Sequence, residues 1–439
     1  MADIYVKAGG GNSSPFASWA NSALVVSSAS GIDAAGDRIF LSSTHSESSA
    51  SSSNAWAGTA GNPVVIASVN DGAAPPTAVA DGASITVTGT TFAWSGYAYT
   101  KGITFTFTSA TSFSPMFNGT SVSAVQVLED CSFFYTGAAG SSALGFGTTA
   151  AGAGSETILR NPSFKLGAAG QYIQPGRSLE IMGGGFVSGG TSPTGVFQIG
   201  ANNRPSRLMV NGFDLSVLST TFDLVKTIQE GSASAVFRDC KLPSGWSGNL
   251  VASGQIKQGT RVEMWNCDAG STNYRLWIET FQGSIKTSGS VYKDAFTGGT
   301  PHSLVMASNT SAAYPSGLLV SPEIPASTAT TGSSVTATVE IVTDGVTLTD
   351  AECWLEVMFM GASGAPLGSW VSDAKADVLA SASNQASSSE SWTTTGLSSP
   401  VKQKLSVTFT PQIAGYAIGR VVLAKPSTTV YVDPELTLT

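Results

Sequence analysis

Histidine and cysteine are scarce in this chain, with two of the first and four of the second among 439 residues. No CxxC pair occurs, so neither a zinc site nor a disulfide framework organises the fold. Such cysteine usage fits free thiols in a reducing compartment. Charge is sparse as well: Asp, Glu, Lys and Arg make up 11% of the chain, where an average globular protein has roughly 25%. The formal net charge is −8 and no Lys/Arg cluster follows any segment, which makes nucleic acid a poor partner. The strongest apolar stretch, CWLEVMFMG, is interrupted by Glu356 and falls short of the roughly 18 residues that would mark a membrane span. The opening residues, MADIYVKAGGGNSS, lack the apolar centre of a secretory signal, so no export by that route is expected.

Gly, Ser, Thr and Ala are abundant, hydrophobic residues reach 42%, and disorder through excess charge is not expected. Three cysteines follow a turn-forming residue: Asp130 before Cys131, Asp239 before Cys240, and Asn266 before Cys267. The turn residues are 109 and 27 apart, so about four periods fit the larger gap. Asn161, Gly183 and Asn211 fall near the intermediate positions, and Gly89, Thr108 and Ser288 extend the series. Apolar positions align with it. Val87, Leu128, Leu159, Ile181, Met209, Phe237 and Met264 lie two residues before a turn residue, with Thr106 and Lys286 departing. Phe92, Phe133, Phe164, Phe186, Leu242 and Val291 lie three residues after one, with Thr111, Asp214 and Ala269 departing. Short strands separated by Gly, Asn and Ser turns at this period predict a β-solenoid, whose coils bury side chains against their neighbours. In such a stack the cysteines fill a small apolar position after the turn and have no metal or redox role.

The start of the chain, ADIYVKAGG followed by AAGDRIFLSSTHSES, resembles the first coils of right-handed parallel β-helix proteins of the pectin-lyase-like class, especially those of bacteriophage virions. Gly36, Asp37, Ile39 and Leu41 match the family's first-coil pattern, and FASWANSALVVSSAS would form the cap. The likeness extends over roughly residues 1 to 310. It implies a cap and first coil at 1–55 and a right-handed parallel β-helix at 56–311; three prolines mark a linker at 312–334, and period-two alternation beyond it predicts an antiparallel β-sandwich of jelly-roll type at 335–439, so the whole protein is expected to be all-β. The segment 372–395, rich in Ser and Ala, is expected to be an exposed loop around Trp392.

No catalytic constellation emerges. Glu180 and Glu263 share a register but lack an acidic neighbour in adjoining coils, and are expected to be solvated. Asp130 and Asp239 are explained by local turn hydrogen bonds. His45 and His302 are expected far apart, at the surface or in turns, and no intact G-x-S-x-G accompanies them. Stretches such as MGGGFVSGG lack the Lys and Ser/Thr of a phosphate-binding loop. The expectation is therefore a non-enzymatic protein with no catalytic, cofactor or metal residues. Its expected role is capsid decoration: a homotrimer on the virion head, with the major capsid protein as partner. The alternative is a tailspike or tail fibre that recognises or depolymerises host surface glycan. Decoration ranks first because the chain enters its solenoid almost at once, leaving little room for a tail adaptor.

Overall fold

A computed structural model describes the whole chain except residues 112–113, 119–123, 138–139, 141, 148–154, 201–205, 229–232, 253–260, 271–272, 280–282, 289, 294–302, 309–315, 321–332, 362–382, 386–391, 411–414 and 434–435. The protein is all-β and divides into two compact units, residues 1–243 and 244–439.

The first unit is built of parallel coils. One sheet runs through Asp3–Val6, Arg38–Ser42, Val64–Val69, Ala98–Lys101, Val125–Glu129, Glu156–Arg160, Ser178–Met182, Arg207–Asn211 and Ser234–Arg238, each strand parallel to the next. Period-2 alternation turns one set of side chains inward, and register stacks them into a ladder: Ile4, Ile39, Ile66, Thr100, Leu128, Leu159, Ile181, Val210 and Phe237. The second sheet bends at a corner. Strand Ser84–Ser95 pairs through residues 84–87 with Thr104–Phe107 and through Ala93 and Trp94 with Met116–Phe117. Its inward column continues as Phe105, Phe133, Phe164 and Phe186. These rings stack along the column, with centroids 5.9 Å apart for Phe105–Phe133 and 5.3 Å for Phe133–Phe164. Phe117 and Phe146 from the neighbouring face close edge-on against Phe133 at 5.1 and 5.2 Å. This is the arrangement of a parallel β-helix.

The predicted turn column is present in part. Asp130, Asn161, Asp239 and Asn266 all adopt left-handed conformations, with φ between 49° and 51°, and Gly183 does so at 68°. Asn and Asp tolerate this region better than other residues with a Cβ, because their short polar side chains bond locally. Three of these turns continue the ladder to the next coil. Asp130 N–H donates to Arg160 O at 2.9 Å, Asn161 N–H to Met182 O at 2.7 Å, and Gly183 N–H to Asn211 O at 2.8 Å.

Three assignments need correction. Asn211 is the last residue of its strand, and Gly212, φ 65°, occupies the turn. The departure at Asp214 then disappears, since Leu215 is three residues past Gly212 and fully buried. Gly102, φ 71°, takes the place given to Thr108, which follows Thr104–Phe107 at another corner. Gly89 lies inside Ser84–Ser95, where a Cβ would meet Ala50 O at 2.0 Å, so close backbone approach at the bend requires glycine there.

The first-coil motif has a physical basis. Gly36 has φ 84°, and Asp37 accepts the Ala2 and Ala34 N–H groups at 2.5 and 2.9 Å, while Ile39 and Leu41 are fully buried. The motif ties the first strand to the second coil strand and closes the turn between them.

The second unit is antiparallel. Val335–Asp344 pairs along its whole length with Pro400–Phe409 and also meets Thr429–Val432 and Thr437–Leu438. A three-stranded sheet has Gly415–Leu423 between Ser316–Val320 and Cys353–Gly361. The expected boundary at 312–334 is displaced. Arg261–Asp268 pairs antiparallel with Asn273–Glu279, and Ser303–Ser308 pairs antiparallel with Gly283–Ser288 and Thr429–Val432. Residues 316–320 of the expected linker are a strand. Trp392, expected in an exposed loop, is buried against Val291 and Val342 and donates its indole N–H to Glu340 at 3.0 Å. The rest of that loop lies largely outside the described residues. Among the described residues no helix is long and apolar enough to cross a membrane.

Candidate functional site

On the outward face of the first sheet, the alternation that buries Thr100 and Leu128 leaves Tyr99, Lys101, Val127 and Glu129 half exposed. Register places Lys101 beside Glu129 and Glu129 beside Arg160 on successive coils. The Asp130 and Asn161 turns flank them. Lys101 Nζ lies 2.6 Å from Glu129 Oε1 and 3.3 Å from Asp130 Oδ2. Arg160 approaches Glu129 Oε2 at 3.5 Å, and Asn161 Nδ2 donates to Asp130 Oδ1 at 2.9 Å.

The Lys101 hydrogen bond holds the Glu129 carboxyl below the usual carboxylate range, and the same bond raises Lys101 above the ordinary lysine value. Glu129 is thus ionised at neutral pH and does not serve there as a proton donor. Tyr99 is pushed up by burial and by its hydrogen bond to Glu129. The face therefore combines one aromatic side chain, two carboxylates, a guanidinium, an ammonium and a carboxamide. It can accept and donate hydrogen bonds to a polyhydroxylated ligand lying across the coils. Glu180 continues the middle outward column between Ile158 and Met209. Single-residue inspection missed this cluster; the usable signal was charge alternating in sign at one register position, Lys101, Glu129 and Arg160.

The remaining candidate residues lie elsewhere. Glu263 is buried rather than solvated, at 4% exposure, and accepts the Trp265 indole N–H at 2.6 Å. His45 is fully buried rather than a surface residue. Its Nε2 lies 3.2 Å from Glu47, which also receives the Val26 N–H at 2.8 Å. Glu47 sits at the foot of the Ile85–Phe105 inward column, so its carboxylate needs these partners. His302 lies outside the described residues. The cysteines close turns: Cys131 and Cys240 thiols donate to Glu129 O and Arg238 O, two residues back, at 3.4 and 3.3 Å. Burial pushes the Cys131 thiol up to about 12, which keeps it protonated and unreactive. Among the described residues no group of three or more His, Cys, Asp and Glu gathers to hold a metal.

No family model matches this chain, and no curated protein matches it. Among solved structures it is similar to the enzymatically active domain of tailspike protein 4 of bacteriophage CBA120, with 12% identity and a TM-score of 0.24, covering 91% of this chain. The chain spans 64% of the length of that structure. Such a likeness transfers no residue, substrate or activity. The expectation of a non-enzymatic protein stands against that structure's description as an enzymatically active domain and is withdrawn. The lack of a familiar catalytic motif is no ground for excluding activity.

Proposed function

We propose that this chain is a tailspike-type recognition protein of a bacteriophage virion, with a host surface glycan as its ligand. The observation that carries this reading is the cluster of half-exposed Tyr99, Lys101, Glu129 and Asp130 with exposed Arg160 and Asn161, where an aromatic ring adjoins several hydrogen-bonding groups on one sheet face. Sugar rings present apolar faces to an aromatic side chain and hydroxyls to carboxylates and guanidinium, so this mixture suits them. In the same proposal the antiparallel unit is a jelly roll that holds a homotrimer together. Capsid decoration, with the major capsid protein as partner, has no described surface feature in its favour and gives way to this reading.

Binding of the full chain to an array of bacterial capsular and lipopolysaccharide glycans tests the proposal. Tyr99→Ala is expected to weaken binding by about tenfold, equivalent to about 1.4 kcal/mol. Release of new reducing ends or unsaturated sugars, followed on the glycan bound, decides whether recognition is accompanied by cleavage. Absence of glycan binding, or binding unchanged in Tyr99→Ala and Arg160→Ala, refutes the assignment of this face.

A further inference from the structure

The two sheets of the first unit begin differently at the N-terminal end of the solenoid. In each coil the inward residues turn their N–H and C=O groups toward the following coil, and the outward residues turn theirs toward the preceding one. The Trp56 N–H to Ser95 O bond at 2.8 Å and the Ser84 N–H to His45 O bond at 2.9 Å follow this rule. Strand Asp3–Val6, the first of one sheet, has its preceding side closed by the cap. Tyr5 N–H donates to Phe16 O at 2.9 Å, Tyr5 O accepts the Ala23 N–H at 2.8 Å, and Lys7 N–H donates to Ala23 O at 2.9 Å.

Strand Ser46–Ala55, the first of the other sheet, pairs among the described residues with Ser84–Ser95 alone. Its inward residues Glu47, Ser52 and Asn54 are buried, and its outward residues Ser46, Ser48, Ser53 and Ala55 are exposed. Register slips between Ser49 and Ser51, where the Ser49 hydroxyl donates to Ser51 O and accepts the Ser51 N–H at 3.0 Å. On either side of that slip, the backbone N–H and C=O groups of Ser46, Ser48, Ser53 and Ala55 have no partner among the described residues. The cap reaches this strand at inward side chains instead: Val26 N–H donates to the Glu47 carboxylate at 2.8 Å, and the Ser30 hydroxyl to Asn54 Oδ1 at 3.2 Å. Proteins commonly blunt an open edge with Lys or Pro, and residues 46–55 contain neither.

We propose that the outer edge of Ser46–Ala55 is a docking site for an extended segment of a partner protein, which joins the second sheet as one further strand. A row of free N–H and C=O groups at every second residue is matched group for group by another extended backbone. The side chains on the edge are hydroxyls and a methyl group, so the segment that fits is uncharged. It carries short side chains where it turns inward, because helix Val26–Ala29 already fills that end of the solenoid, with Val26 and Ala29 fully buried. Leu24, Val25 and Ile32 flank this helix and remain 38%, 37% and 41% exposed, which supplies apolar surface at the same end for the partner to cover.

Hydrogen exchange on the full chain, read at single amides by mass spectrometry, tests the proposal. The probe is a ten-residue peptide of alternating Thr and Ala, the length of the edge strand. In the free chain the Ser46, Ser48, Ser53 and Ala55 amides are expected to exchange at least about tenfold faster than those of Glu47, Ser52 and Asn54. Peptide at about ten times its Kd is expected to slow the four outer amides about tenfold. The same peptide N-methylated at every residue, which has no donors left, is expected to leave them unchanged. Ser53→Pro removes an outer N–H and no bond to Ser84–Ser95, and is expected to weaken peptide binding at least about tenfold. Outer amides already protected in the free chain, no protection by the unmodified peptide at about 1 mM, or unchanged binding by Ser53→Pro would each overturn the proposal. Protection in the free chain that grows with protein concentration would do so too, by giving the edge to a second copy. Should Ser53→Pro not fold, the exchange pattern of the unsubstituted chain with and without peptide still decides.

Discussion

Replacing Phe133 by Ala tests the inward column at its centre. Phe133 is fully buried and contacts Phe105 and Phe164 along the stack, with centroids 5.9 and 5.3 Å away, and Phe117 and Phe146 across the coil at 5.1 and 5.2 Å. Removing a buried phenyl ring costs about 3–5 kcal/mol through lost transfer energy and the residual cavity. Four aromatic partners, each contributing about 0.5–1.5 kcal/mol beyond area burial, put this site at the upper end, about 5 kcal/mol. Relaxation offers little relief, because the backbone on either side is held by ladder hydrogen bonds to two coils. For a unit of this size about 2–4 °C of Tm is lost per kcal/mol, so a fall of at least about 10 °C is expected by calorimetry. Phe134→Ala is the internal control. Its side chain alternates to the half-exposed face, and it should cost about 1 kcal/mol or less. Equal losses for Phe133→Ala and Phe134→Ala would show that the inward and outward registers had been exchanged, and the stacked core with them.

Cys131, buried and with its thiol pushed up to about 12, is expected to resist iodoacetamide at pH 8 in the native protein and to react on unfolding; labelling of Cys131 in the folded state, read by peptide mass spectrometry, would contradict its burial. Glu129 is held below its ordinary 4.5 in the folded protein by Lys101, so it contributes stability that is present above the unfolded value and lost as pH falls through the lower folded value. Because the pair is partly exposed the effect should stay under about 1 kcal/mol, and the difference between wild type and Glu129→Gln in urea titrations should shrink below about pH 4.5. A difference that grows on acidification would reverse the sign. At Asp239, φ 51°, Asp239→Val should cost about 1–2 kcal/mol more than Asp239→Gly, since only the β-branched residue meets the left-handed steric penalty; equal stabilities would deny that turn.

The turn column was legible because it depends on local chemistry. Left-handed backbone selects Gly, Asn and Asp wherever it occurs, so Asp130, Asn161, Gly183, Asp239 and Asn266 identify themselves without knowledge of their neighbours. Inward alternation of Leu128, Leu159 and Phe133 is equally local, being a property of a pleated strand. Which turns belong to one column is not local. Coils of unequal length pass through several faces with similar apolar patterns, which is why Gly89 and Thr108 took places that belong to other corners, and Gly102 was passed over.

Only tertiary structure assembles the rest. Tyr99, Lys101, Glu129 and Arg160 meet because backbone hydrogen bonds stack residues about thirty positions apart at one register, and no short stretch of sequence records that pairing. Ser303–Ser308 carries the alternation of a strand in either kind of sheet, yet it pairs antiparallel with Thr429–Val432, more than a hundred residues away. His45 and Trp392 look like surface residues in sequence because their flanks are rich in Ser, yet both are buried where distant segments meet them: the Ser84 N–H donates to His45 O, and the Trp392 indole donates to Glu340. Local sterics and hydrogen bonding determined from sequence that this chain would form short strands and left-handed turns. Non-local backbone pairing, whose partners compete on nearly equal local terms, decided which strands stack in parallel, which pair antiparallel, and therefore which side chains share a face.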